Sequence, residues 1–202
     1  MNDKHSKFQG AGTHWQLLGV LYGMSMTLQG VAQEQPLSAL PKELPGAITI
    51  PAGAVVTIDQ ATGLEYLLNQ GSTLNLLEGG VINNIEADAP GGVVNITGGV
   101  VEQTIDASSI SAAISVVAGT LNASDAIVWS DTKTAIELVA SNDSRSALNL
   151  NNSFVSGAGD AIKVAKSDAV LTATHVVGVA GAGGAGVGVQ TGGSNLRIED
   201  NS

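Results

Sequence analysis

The chain has 202 residues, a formal charge of −10 and no Cys, and 44% of it is hydrophobic although Phe, Trp and Tyr occur only twice each. So acidic a balance argues against nucleic acid and anionic lipid as partners, because both are held by clustered Lys and Arg. The apolar content is Val, Ile, Leu and Ala, which favours pleated strands over the ring-filled core of a compact enzyme.

Residues 1–32 have the pattern of a secretory signal peptide. Lys4, Lys7, His5 and His14 make a mildly basic start, and Leu17 to Val31 is apolar but diluted by Gly19, Gly23, Ser25, Thr27 and Gln29. Gly30-Val31-Ala32 then places small residues where a signal peptidase reads them, so cleavage is expected near Ala32. The alternative is a short amphipathic or membrane-anchoring helix, for which the apolar stretch is short and polar. Removing this segment takes two Lys and one Asp with it. It leaves six basic and 17 acidic residues, a net charge of −11. An exported chain of this size without Cys either has a sufficient core alone or must stay unlinked to pass a second pore.

Residues 33–54 are a Pro-rich lead-in and amino-terminal cap, with Pro36, Pro41, Pro45 and Pro51. Proline cannot donate to a strand ladder, so extended linker and edge-capping structure is expected there.

From Val55 onward one phrase recurs. Leu74-Asn75-Leu76, Val94-Asn95-Ile96 and Ile114-Ser115-Val116 start 20 residues apart. The phrase returns as Ile136-Glu137-Leu138, Ile162-Lys163-Val164 and Val187-Gly188-Val189. Such a period marks a solenoid. Second strands follow short turns at Thr120–Ala123, Ala147–Leu150, Val170–Thr172 and Asn195–Ile198. Third apolar patches lie at Ile127-Val128, Phe154-Val155 and Val176-Val177. With Gly, Asn, Asp and Ser at the corners and no helical period, the expected fold is all-β: a right-handed parallel β-helix over residues 55–202.

Alternation sorts inside from outside. The flanking aliphatics point into the tube, and the middle residues form an outward file of Thr57, Asn75, Asn95, Ser115, Glu137, Lys163 and Gly188. Glu137 and Lys163 are then cross-coil neighbours, an exposed ion pair worth under about 1 kcal/mol. A second file is Asn122, Asn149, Thr172 and Arg197. A single coil cannot cover its own aliphatic side chains, so stability belongs to the stack. The chain stops at Ser202 in mid-coil. An uncapped edge invites pairing, so the expectation is an amino-terminal part of something longer or a truncated product.

Motifs that could carry chemistry are few. Ser156-Gly-Ala-Gly-Asp160-Ala-Ile162 overlaps a calcium-binding nonapeptide, but one copy cannot supply ligands from successive turns and reads as a corner. Gly178–Gly193 is Gly/Ala-rich without the strand and helix that a phosphate cradle needs, and reads as a loop or tight corners. His175 is the last histidine after signal removal; with no Cys beside it zinc is excluded, and a strand face or corner is expected. Asp106, Asp125, Asp131, Asp143, Asp160 and Asp168 fall mostly at turns, where Asp bonds its own backbone. Glycosidic cleavage would need two of them about 5–9.5 Å apart in a groove. Four Asn-x-Ser/Thr matches, at Asn95, Asn122, Asn142 and Asn151, are of the kind that arise by chance in an Asn-rich repeat. No catalytic, cofactor-binding or metal residue is assigned.

Gly159-Asp-Ala-Ile-Lys-Val-Ala-Lys-Ser-Asp-Ala-Val-Leu-Thr-Ala and Gly186-Val-Gly-Val-Gln-Thr-Gly-Gly-Ser-Asn-Leu-Arg-Ile resemble coils of pertactin-type autotransporter passengers. The resemblance covers residues 110–202 well and 46–109 more loosely. It implies a Gram-negative, outer-membrane or extracellular protein whose passenger is displayed at the cell surface, a setting associated with adhesion and virulence. The membrane β-barrel that follows such passengers is absent, and so is the Arg-Gly-Asp tripeptide of some pertactins.

Three functions follow as expectations. The first is an autotransporter passenger fragment acting as an adhesin or structural rod that contacts proteins or glycans on host or neighbouring cells. It would have no enzyme activity or cofactor, and would meet a membrane only through the missing barrel. The second is a secreted β-helical polysaccharide lyase or hydrolase. Against it, Lys42, Lys133, Lys163, Lys166, Arg145 and Arg197 are too scattered for the basic cluster such enzymes use on acidic sugars. The third is a non-catalytic carbohydrate-binding repeat of an envelope or phage-like fibre.

Overall fold

A computed structural model describes residues 47–104, 111–179 and 186–200, together with the backbone of Thr27–Gln29. Among these residues there are strands and turns and no helix. Each coil visits three parallel sheets in turn, and successive coils pair in register. Sheet 1 has seven strands: Ala47–Ile50, Glu65–Leu68, Asn84–Ala87, Ala112–Val117, Thr134–Val139, Asp160–Ala165 and Val187–Gly192. Sheet 2 runs through Val55–Ile58, Thr73–Leu76, Val93–Thr97, Thr120–Ser124, Ala147–Asn151, Asp168–Thr172 and Asn195–Glu199. Sheet 3 comprises Val81–Ile82, Val100–Gln103, Ile127–Ser130, Phe154–Ala158 and His175–Val179. This is a parallel β-helix.

The interior is built from columns of aliphatic side chains, one residue per coil. In sheet 1 the column Ile85, Ile114, Ile136, Ile162 is fully buried and paired residue to residue. In sheet 2 the equivalent column is Leu74, Val94, Leu121, Leu148, Ala169. Sheet 3 contributes Ile82, Val101, Val128 and Val155. Each such Val, Leu or Ile removes its side chain from water for about 1.5–3 kcal/mol, which only a neighbouring coil makes possible. Among the described residues one ring joins this core: Tyr66 is 1% exposed, and its hydroxyl lies 3.3 Å from the Thr62 hydroxyl. Burial raises the Tyr66 pKa, and the bond to Thr62 acts in the opposite direction.

The corner between sheets 1 and 2 explains how a chain can turn so sharply at each level. Gly53, Gly71, Gly91 and Gly193 take positive φ there, and so do Ala118 and Lys166. The position that opens the way into sheet 2 is small throughout: Ala54 after Gly53, then Ser72, Gly92, Gly119, Ser146, Ser167 and Ser194. The amides of Gly119, Ser146 and Ser167 each donate to the hydroxyl one coil further on, of Ser146, Ser167 and Ser194, at 3.2–3.3 Å. Those hydroxyls in turn donate to strand-end carbonyls such as Val139, Ala165 and Val164. A column of serines therefore satisfies the buried backbone of the turn. At Gly119 a Cβ would stand 2.5 Å from the Gly92 carbonyl oxygen, so no larger residue fits.

The observed register corrects the outward files. The Leu74 and Val94 phrases belong to sheet 2 and continue into Leu121-Asn122-Ala123. Ile114-Ser115-Val116 belongs to sheet 1, between Ile85-Glu86-Ala87 and Ile136-Glu137-Leu138. The coil after Val94 lengthens to 27 residues, so a constant step of 20 crosses from one sheet to the next. Ile162 pairs with Val189 rather than Val187, which places Gln190 and not Gly188 beside Lys163. Asn149 is followed by Val170 rather than Thr172, which pairs with Asn151. The first coil strand is Ala47–Ile50, within the span assigned to the lead-in. Residues 33–46 lie outside the described residues. Thr27–Gln29 pairs antiparallel with Val55–Thr57, and cleavage near Ala32 would take that strand away.

Replacing Ile136 by Ala removes a side chain gripped by coils on both sides. It is expected to cost about 2–5 kcal/mol in equilibrium urea unfolding, whereas Ile127→Ala, at a site 43% exposed, changes stability far less.

Candidate functional site

Side chains of alternate residues leave sheet 2 on its outer face. Strand pairing sets Thr57, Asn75, Asn95, Asn122 and Asn149 directly above one another. Their side chains join into a ladder. The Asn95 Nδ2 donates to Asn75 Oδ1 at 2.9 Å, Asn122 Nδ2 to Asn95 Oδ1 at 3.0 Å, and Asn149 Nδ2 to Asn122 Oδ1 at 2.9 Å. The Asn75 Nδ2 reaches the Thr57 hydroxyl at 3.5 Å. All the amides point the same way, so each bond polarises the next. The ladder ends at Val170, which has nothing to offer Asn149.

Two residues further along each strand, Thr97, Ser124, Asn151 and Thr172 form a second polar file. Between the two files lies an open groove of about 580 Å³. Its lining residues are asparagines, serine and threonines with Val170, and the strand backbone at Ile96, Ala123 and Leu150, with no charged residue among them. The groove exists because the residues flanking the ladder are short, while the ladder holds its carboxamides upright.

Beside the groove the same coils carry charge, and on the coil that follows that of Val170 and Thr172 stand Arg197 and Glu199, paired with each other. Arg145 makes a two-pronged contact with the Asp168 carboxylate at 2.9 and 3.0 Å, and Asn195 Nδ2 donates to the same carboxylate at 2.7 Å. The Arg145 bond, then the Asn195 bond, hold the Asp168 carboxyl below its ordinary range. On sheet 1, Lys163 and Glu137 pair at 3.0 Å, as adjacent coils dictate. Sheet 3 presents Phe154 stacked on His175, with centroids 5.7 Å apart and planes 13° from parallel, in file with Ile127. Only Asn152 and Ser153 separate this strip from Asn151, but Phe154 lies outside the groove lining.

The sequence candidates fall elsewhere. His175 opens a sheet 3 strand and uses its ring in stacking. Ser156 ends in a strand, Gly159 turns the corner with φ of +87°, and Asp160 begins the next strand. Asp125 occupies a positive-φ corner, where the Asn152 side chain donates to its carboxylate. Asp131 and Asp143 sit in turns, and Asp106 lies outside the described residues. Among the described residues no group of three or more His, Cys, Asp or Glu could hold a metal. Asn95 and Asn122, read as chance glycosylation matches, are ladder members that each spend one amide donor and the carbonyl oxygen on the neighbouring coils. The groove itself went unseen in the sequence, because the ladder was divided between two sheets, with Asn95 in one file and Asn122 and Asn149 in the other, and the file of Thr97, Ser124 and Asn151 was not recognised.

No protein-family model, no curated protein and no solved structure matches the chain.

Asn122→Ala removes two ladder bonds at once and is expected to destabilise the chain by roughly 1–2 kcal/mol. Asn149→Ala, which removes one, should cost about half as much in the same unfolding titration. For Asp168 the folded pKa is the lower one, so its contribution is complete above the ordinary carboxylate range and disappears as pH falls through the lowered value. Asp168→Asn should therefore lower stability at neutral pH and flatten the acid limb of a stability–pH profile.

Proposed function

We propose that the chain is part of the surface-displayed passenger of a Gram-negative autotransporter, working as a rigid adhesive rod rather than an enzyme. The observation that carries this reading is the in-register stack of coils with a polar ladder running over five of them, from Thr57 to Asn149, along one outer face. Such a face repeats its hydrogen-bonding groups at each level and suits multivalent contact along its length. The resemblance of residues 110–202 to pertactin-type coils points the same way, and so does the absence of Cys in a chain read as exported. A right-handed sense is proposed on the strong preference of parallel strand crossovers for that hand.

The alternative, a polysaccharide lyase or hydrolase, would want paired carboxylates in the groove. Its lining holds carboxamides and hydroxyls there instead, which favours holding a ligand over cleaving it. A reducing-end assay on pectin and alginate, with and without calcium, should give no release of sugar.

Bacteria expressing the full gene should attach to host matrix or partner cells, and deletion of residues 47–200 should abolish attachment. Unchanged attachment after that deletion would overturn adhesion as the role.

A further inference from the structure

We infer that the groove on the outer face of sheet 2 is a binding site for an uncharged glycan, lying along the stacked coils with its hydroxyls on the asparagine ladder. This rests on the interaction-rod reading and gives it a ligand class and a place.

The first argument is an inventory of hydrogen bonds. A primary carboxamide has two N–H donors and an oxygen with two lone pairs. Asn95 and Asn122 each spend one donor on the coil before and one lone pair on the coil after. Each therefore keeps one donor and one acceptor for the groove, at a repeat of about 4.8 Å. A hydroxyl group is the matching partner, since it donates and accepts at one oxygen. Because the ladder already fixes each amide, little rotamer freedom is lost when a ligand arrives.

The second argument is charge. No lining residue is ionisable; of the cations beside it, Arg145 is engaged with Asp168, and Arg197, next after Val170, is engaged with Glu199. Uronate, sulfate or phosphate groups would find no cation in the groove, and the acidic chain would repel them. A protein partner would seek aromatic or Arg anchors in a deep pocket, and the groove is open and lined by no aromatic residue, its amides and hydroxyls standing over small apolar strips. What remains is a hydroxyl-rich, uncharged chain.

The third argument is shape. The groove's lining spans four successive coils, from Asn95 to Thr172, and stops where the next coil places Arg197 and Glu199, so it suits a short stretch of a linear polymer laid along the stack. Ser124 stands midway in the second file, with its side chain outside the ladder.

Native gels cast with galactomannan, dextran or hydroxyethylcellulose test the site against gels cast with polygalacturonate or heparin. The whole chain should be retarded in at least one uncharged gel and in neither anionic one. Ser124→Leu fills the groove without touching the ladder bonds, and should weaken retardation at least tenfold while leaving the thermal midpoint unchanged. Thr97→Leu provides the same block one coil away should Ser124→Leu fold poorly. Equal mobility in all gels, equal retardation by the anionic polymers, or retardation that survives both substitutions would each overturn the site. Cell attachment separates this outcome from the broader one. Attachment lost on deleting residues 47–200 but kept in both groove variants overturns the glycan site alone, whereas attachment that survives the deletion overturns the adhesive role itself.

Discussion

The structure depends on one contact repeated at every level: an aliphatic side chain lying on the equivalent side chain of the next coil. Ile114 on Ile136, Ile136 on Ile162, and Leu121 on Leu148 are each fully or almost fully removed from water by this stacking. The strand backbone bonds to the coils on either side, because its N–H and C=O groups point along the stack, and only turns such as Asn69 to Ser72 close a bond within one coil. Hydrophobic burial and the parallel ladder therefore require the same neighbour, and neither can form without the other. This coupling makes the coil a unit only in company.

Everything on the outside inherits that register. Once Leu121 sits over Val94, Asn122 must sit over Asn95, at a distance where two carboxamides bond. Lys163 meets Glu137 for the same reason. The groove is a second consequence, since short side chains two residues away repeat as faithfully as the ladder does. A surface built this way is rigid because its positions are fixed by the core.

The corners show how the chain accommodates coils of unequal length. Ser146, Ser167 and Ser194 replace water as partners for turn amides, and extra residues such as Ser141–Ser144 loop outward without disturbing the strands on either side. Coil length can change by several residues while strand register is retained. That freedom is what hides the true columns from a reading based on a fixed period.

The sequence by itself determined that the chain is a strand-rich solenoid, that the aliphatic flanks of the triplets from Leu74 to Val164 face inward, though not Val187, and that Glu137 and Lys163 are neighbours. These follow from alternation and recurrence, which are local properties of strands. Tertiary structure alone decided which sheet each triplet joins, because an aliphatic-polar-aliphatic phrase looks the same in all three. It alone joined Asn95 to Asn122 across 27 residues, a step that no constant period predicts. The serine column and the groove were invisible for the same physical reason: each is made by residues far apart in the chain whose adjacency is fixed only when the coils stack.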